Sequence, residues 1–144
     1  MGNEWISKKG TWGTSSEKIV FYRTEIEKNQ EVEKAVISIT ATSAKEARQY
    51  VYNLYVNDKE VGIGPVRQNG SNLYYDSYDI TEYLAEGKNV IGAINYSEAD
   101  AGFLCQIAYF MTDGSQKIVS NSTINNKEWK VLDGDNIYIG NDKV

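Results

Sequence analysis

Tyr50-Val51-Tyr52-Asn53-Leu54-Tyr55-Val56-Asn57-Asp58-Lys59-Glu60-Val61-Gly62 reads as a strand, a turn and a returning strand. Tyr50, Tyr52, Leu54 and Val56 share one face of a period-two chain. Asn and Asp tolerate positive φ, so Asn57-Asp58 suits a two-residue hairpin. The same grammar extends outward in both directions. Residues 18–26 hold β-branched and aromatic residues in rough alternation, and residues 35–41 place Ala35, Ile37, Ile39 and Ala41 on one face. Residues 72–78, 89–96, 103–112, 116–121 and 128–132 read as further strands, with Asp113-Gly114 as a second hairpin turn. Helix signals are few. Ser43-Ala44-Lys45-Glu46 has capping-box spacing ahead of a turn over 44–49. Residues 79–87 read as a short helical turn with Asp79 at the N-cap, Glu82 at N3, Leu84 plugging the sandwich and Gly87 at C′. Short strands separated by turns every eight to twelve or so residues predict an all-β fold, an antiparallel β-sandwich of jelly-roll type. Nothing resembles a linker or a repeat, so residues 1–144 read as a single domain.

Composition removes several function classes. The chain has 144 residues with no histidine and one cysteine, so Ser-His-Asp, Cys-His and HExxH chemistry is unavailable to it, as is a disulfide framework within the chain. Twenty acidic residues against fifteen basic ones give a net charge of −5, the wrong sign for gripping nucleic-acid phosphates. The run from Phe103 to Met111 is about half a membrane span and carries Gln106, so no membrane partner is expected. The first residues are polar and lack a secretory signal, which predicts a cytoplasmic location. Triplets suited to N-glycosylation, at Asn69, Asn95 and Asn121, are close in number to what chance provides and are weak evidence for secretion.

Three stretches carry a resemblance. They are Leu54-Tyr55-Val56-Asn57-Asp58-Lys59-Glu60-Val61-Gly62-Ile63-Gly64-Pro65-Val66-Arg67, then the segment running from Tyr74-Tyr75-Asp76 through Asp79-Ile80-Thr81 and Leu84 to Gly87-Lys88-Asn89-Val90-Ile91-Gly92, then Asp113-Gly114-Ser115 followed by Glu128-Trp129-Lys130-Val131. In this order the chain resembles the N-terminal β-sandwich domain of bacterial α-L-rhamnosidases, a galactose-binding-domain-like accessory sandwich. Phe21-Tyr22-Arg23 and Trp5-Ile6 are similar to the family's first long strand and its leading Trp-Ile. Two departures stand out. The turn is Asn57-Asp58 where the family usually has Asn-Gly, and the stretch over 44–49 is longer than usual. The resemblance implies a non-catalytic accessory domain of a glycoside hydrolase whose hydrolysis takes place in a separate (α/α)6 barrel. That barrel, in the parent chain, is then the expected protein partner, and a rhamnosyl glycan the expected ligand. The alternative it leaves open is an architectural domain that packs on the barrel and binds no sugar.

No catalytic residue is expected in this chain, which on its own is read as no enzyme. Asp76 and Asp79 are the nearest thing to a paired-carboxylate site, and Asp79 is better explained as a cap. Sugar recognition needs an aromatic face for ring C–H groups and fixed polar groups for hydroxyls. The segment 64–72 leading into Tyr74-Tyr75-Asp76 is the best provided, and Arg67, Asn69, Asn72, Tyr75 and Asp76 are the candidate ligand-binding residues. Alternation is expected to send Tyr74 and Tyr75 to opposite faces, and the bland alternative pairs Arg67 with Asp76 on the surface. Residues 96–102, with Glu98 and Asp100, form a second candidate loop. No cofactor or metal is predicted. Asp133-Gly134-Asp135-Asn136 has residue types calcium accepts but lacks a distal glutamate. Cys105 reads as a small core residue, and Trp5, Trp12 and Trp129 as core or cover.

Overall fold

The computed structural model describes residues 6–7, 13–15, 19–42, 50–65, 74–97, 101–121 and 129–133. The strands are β1 (Ile6–Ser7), β2 (Gly13–Ser15), β3 (Ile19–Lys28), β4 (Val32–Thr42), β5 (Tyr50–Val56), β6 (Lys59–Gly64), β7 (Asp76–Asp79), β8 (Gly87–Ser97), β9 (Ala101–Met111), β10 (Gln116–Asn121) and β11 (Lys130–Asp133). A six-stranded sheet ordered β1-β11-β3-β8-β5-β6 packs against a five-stranded sheet ordered β10-β9-β4-β7, with β2 paired to the start of β9. Every pairing is antiparallel. Among the described residues the one helical element is a 3-10 turn over Thr81–Tyr83. The chain stays in one sheet only from β5 to β6 and from β9 to β10 and crosses to the other sheet between every other pair of successive described strands, which is the winding of a jelly roll.

Alternation built this. Val20, Tyr22, Thr24 and Ile26 of β3 are buried between exposed or half-buried neighbours. Ala35, Ile37, Ile39 and Ala41 of β4 and Phe103, Cys105, Ile107 and Tyr109 of β9 face them from the other sheet. Each fully enclosed aliphatic or phenyl side chain contributes about 1.5–3 kcal/mol. Phe103 is the central contact between layers. It stacks on Tyr22 at 4.3 Å and 14°, and meets Trp129 edge-on at 5.4 Å and 62°. Trp129 settles its indole N–H on Ser120 Oγ at 2.8 Å. Cys105 is 1% exposed and burial pushes its thiol far above the ordinary range, so it is a packing residue as expected. Trp5, Trp12 and residues 44–49 lie outside the described residues.

Both turns match their chemistry. Asn57 and Asp58 have φ of 49° and 66°, and Gly114 has φ of 87°. Gly87, at φ 88°, opens β8, an interior strand of its sheet. The segment before it departs from expectation in two details. Ile80, not Asp79, occupies the position before the turn, and its side chain makes no cap. Asp79 reaches forward from β7 instead: its Oδ1 accepts from the Thr81 amide at 3.0 Å and the Thr81 hydroxyl at 2.5 Å. Thr81 Oγ1 in turn accepts from the Ala35 amide at 2.9 Å, tying the turn to β4. Ile80 is also the fully enclosed plug, while Leu84 is only partly buried against the core.

Candidate functional site

Strand register brings the strand ends that flank the candidate segments to one end of the sandwich. Thr42 pairs with Gly102, Tyr50 with Ser97, Tyr52 with Gly64, Ile39 with Asp76 and Ile19 with Tyr96. The strand ends that flank 43–49, 66–73 and 98–100 therefore share one rim. Arg67, Asn69 and Asn72, with Glu98 and Asp100, lie outside the described residues. Tyr75 and Asp76 are described, and they do different things.

Asp76 faces inward. It is level with Ile39 and Tyr78 with Ile37, both buried positions of β4, whereas Ser77 pairs with Ser38 and Asp79 with Val36 on the other side. The Ser38 and Ser77 hydroxyls meet there at 3.0 Å. Asp76 and Asp79 therefore project to opposite faces of a four-residue strand, so they form no hydrolytic pair. The Tyr52 hydroxyl, from the opposite sheet, donates to Asp76 Oδ2 at 2.6 Å and lies 3.1 Å from the Tyr78 hydroxyl. Burial first, then the bonds to Asp76 and Tyr78, push the Tyr52 phenol well above its usual range. Asp76 is thus anchored between the layers rather than lying loose on the surface. Room for this cluster comes from β6. A Cβ on Gly62 would stand 2.5 Å from the Tyr78 ring, and one on Gly64 would stand 2.5 Å from Asp76 Oδ2.

Tyr75 is the exposed group, at 69%, with Tyr74 at 45% beside it. The strand begins at Asp76, later than expected, so the two tyrosines precede it and alternation does not hide either one. Thr40 Oγ1 donates to the Tyr74 carbonyl at 2.6 Å and fixes the approach to β7. Ile63 and Tyr96 are exposed as well. Beneath the rim lies Asn95, paired in register with Val20 and Tyr52 and 1% exposed. Among the described residues neither its amide oxygen nor its amide nitrogen meets a partner. Its burial also removes it as a glycan acceptor in the folded chain.

Sequence reasoning missed Tyr52, Tyr78 and Asn95 as site residues. A usable signal was present in Gly62 and Gly64, two bare positions on one face of a strand, which announce that something large crosses there. Among the described residues no cluster of three or more metal-ligating side chains occurs, and no helix is long and apolar enough to cross a membrane. Of Asp133-Gly134-Asp135-Asn136 only Asp133 is described, as the end of β11.

No family model matches the sequence, and no curated protein does. Solved structures do. The GH78-family rhamnosidase of Bacillus sp. GL1 is 26% identical, with a TM-score of 0.63 over 91% of this chain and 14% of its own. The Streptomyces avermitilis α-L-rhamnosidase, solved with L-rhamnose, is 17% identical, with a TM-score of 0.61 over 90% of this chain and 13% of its own. A Pleurotus ostreatus lectin, solved with GalNAc, is 21% identical, with a TM-score of 0.52 over 86% of this chain and 35% of its own. The chain spans only 13% and 14% of these two rhamnosidases' lengths, so what it is similar to is one domain of such enzymes.

Proposed function

We propose that this chain is a non-catalytic, carbohydrate-recognising domain of an α-L-rhamnosidase-type glycoside hydrolase. The observation that carries the reading is the mismatch of coverage. Nearly all of this sandwich is matched, at 91%, by only 14% of a rhamnosidase, which leaves most of such an enzyme to do something else. The likeness of the same sandwich to a lectin solved with GalNAc supports recognition as its task. Chemistry of the described residues fits. Asp76 and Asp79 face apart, while the rim offers Tyr75 as an open aromatic face. A sugar ring lays its C–H face on such a surface and gives its hydroxyls to polar groups at the edge. The unpaired Asn95 amide lies under the same rim, where a hydroxyl or a water would relieve a cost of about 1–3 kcal/mol per unmet group.

In this reading Arg67, Asn69 and Asn72 supply the remaining polar contacts from the segment before Tyr74. The domain works without cofactor or metal, beside the catalytic domain of its parent chain and in the cytoplasm. Titration with L-rhamnose and methyl rhamnosides, followed by tyrosine and tryptophan fluorescence, tests it. Saturable binding is expected, lost in Tyr75→Ala and in Arg67→Ala. Exposed Ile63 and Ile118 favour the competing reading, a purely architectural domain packed on the catalytic barrel. A flat titration at millimolar sugar would give that reading the field.

A further inference from the structure

A recess lies on the outer face of the five-stranded sheet, at the end away from the rim. It has a volume of about 700 Å³ and is lined by Glu33, Lys34, Asp79, Thr81, Glu82 and Phe110. The topology explains the grouping. Lys34 of β4 is in register with Phe110 of β9 on one side, and β7 runs along the other, with Asp79 at its end and the 3-10 turn following. Phe110 is a large apolar side chain left 37% exposed, on a face where nothing in the described chain covers it. Lys34 Nζ stands 4.0 Å from Asp79 Oδ2, and Asp79 is held ionised by its two bonds from Thr81.

Charge selects the ligand. Glu33, Asp79 and Glu82 against Lys34 leave the recess net negative, which repels an anion. A small cation would in turn meet the Lys34 ammonium, already seated against Asp79. A neutral polyol suffers neither penalty, because each hydroxyl both donates and accepts: it gives to Glu82 or Glu33 and takes from Lys34. Phe110 supplies the face that ring C–H groups need, and the volume is in the range of small-molecule sites, about 300–1,000 Å³.

We propose that this recess is a second glycan contact, separate from the Tyr75 rim, which takes a neutral pyranose on Phe110 and turns away its uronate. The inference rests on the carbohydrate reading above and extends it. Two sugars that differ only in charge at C6, methyl galactoside and methyl galacturonide, provide the test, alongside methyl rhamnoside. Amide chemical shifts of the ¹⁵N-labelled chain report the site. Neutral sugars are expected to move the amides of Lys34, Glu82 and Phe110, and the uronate to leave them still. Phe110→Ala, a partly exposed position, should weaken that set by about tenfold while the shifts around Tyr75 and the melting temperature stay in place. If neutral sugars move only the amides around Tyr75, or the uronate binds the recess equally, or Phe110→Ala changes nothing, the inference fails and the carbohydrate reading stands. If no sugar moves any amide, both fail.

Discussion

A methyl group at residue 64 would stand 2.5 Å from Asp76 Oδ2 and equally close to the Tyr52 phenol oxygen. Neither atom can retreat cheaply, because they hold each other at 2.6 Å across the two sheets. Gly64→Ala should therefore cost about 1–3 kcal/mol, the range of overpacked interiors, measured by urea unfolding. The comparison that assigns the cause uses Tyr52→Phe as background. Removing the phenol oxygen deletes one of the two 2.5 Å contacts, leaves the ring Cζ at 2.7 Å and frees Asp76 from its bond, so the alanine should cost less there than in the native chain. Equal costs in both backgrounds would show that the penalty is conformational and that the crossing of β6 over Asp76 is not tight.

At the scale of elements, two asparagines clamp the hairpin to the segment that launches β8. Asn57 Oδ1 accepts from the Val90 amide at 2.9 Å, and its Nδ2 donates to Asn89 Oδ1 at 2.8 Å and to the Tyr83 carbonyl at 3.0 Å. Asn89, fully enclosed, also accepts from the Ala85 amide at 2.7 Å and donates to the Ala85 and Gly87 carbonyls at 2.8 Å and 3.0 Å. Asn89→Ala strands several of these groups away from water, so a loss of about 3 kcal/mol is expected by denaturant titration. Asn89→Asp should recover little of it, since a carboxylate cannot donate to the two carbonyls. The turn itself was legible, because Asn57-Asp58 carries its φ preference in its own side chains. The clamp was not, because its partners lie 26 to 33 positions away and only the pairing of β5 with β8 brings them together. The same distinction runs through the candidate site. That Tyr75 and Asp76 set an aromatic beside an acid was readable from the sequence. That one points out and the other in depended on where β7 begins, which the bond from Thr40 to the Tyr74 carbonyl helps to fix. The inward faces Ala35, Ile37, Ile39 and Ala41 of β4 and Tyr52, Leu54 and Val56 of β5 were readable, since burial follows a period of two and needs no knowledge of partners.

The whole molecule carries a pH signature that follows from its phenols. Tyr22 of β3, Tyr52 of β5 and Tyr109 of β9 are enclosed in the sandwich, and all three have raised pKa values, first because burial disfavours the phenolate. Tyr109, whose hydroxyl donates to the Glu27 carbonyl at 2.7 Å, is pushed up to about 12, with the charge of Glu27 as the lesser cause. A raised folded pKa means that the folded chain keeps a proton the unfolded chain releases. The associated stability is therefore complete below the unfolded value near 10 and declines as pH rises from there. Each enclosed phenol should cost about 1.4 kcal/mol per pH unit in that window. For Tyr109 the decline ends near its folded value of about 12. On the acid side the sign reverses. The Asp79 carboxyl is held below its usual range by the Thr81 hydroxyl and amide, and Asp113 by the same two groups of Ser115. Their contribution is present above the ordinary carboxylate range and fades as pH falls through the lowered values. With no histidine to titrate between these limits, unfolding midpoints should be level from about pH 5 to 9 and fall steeply beyond 10. Tyr109→Phe should flatten the alkaline limb by one phenol's share, while the plateau stays level but sits lower by about 1 kcal/mol for the lost bond to the Glu27 carbonyl. A midpoint that holds to pH 11 would mean these phenols reach water, and the packing of the two sheets around Phe103 would have to be looser than drawn.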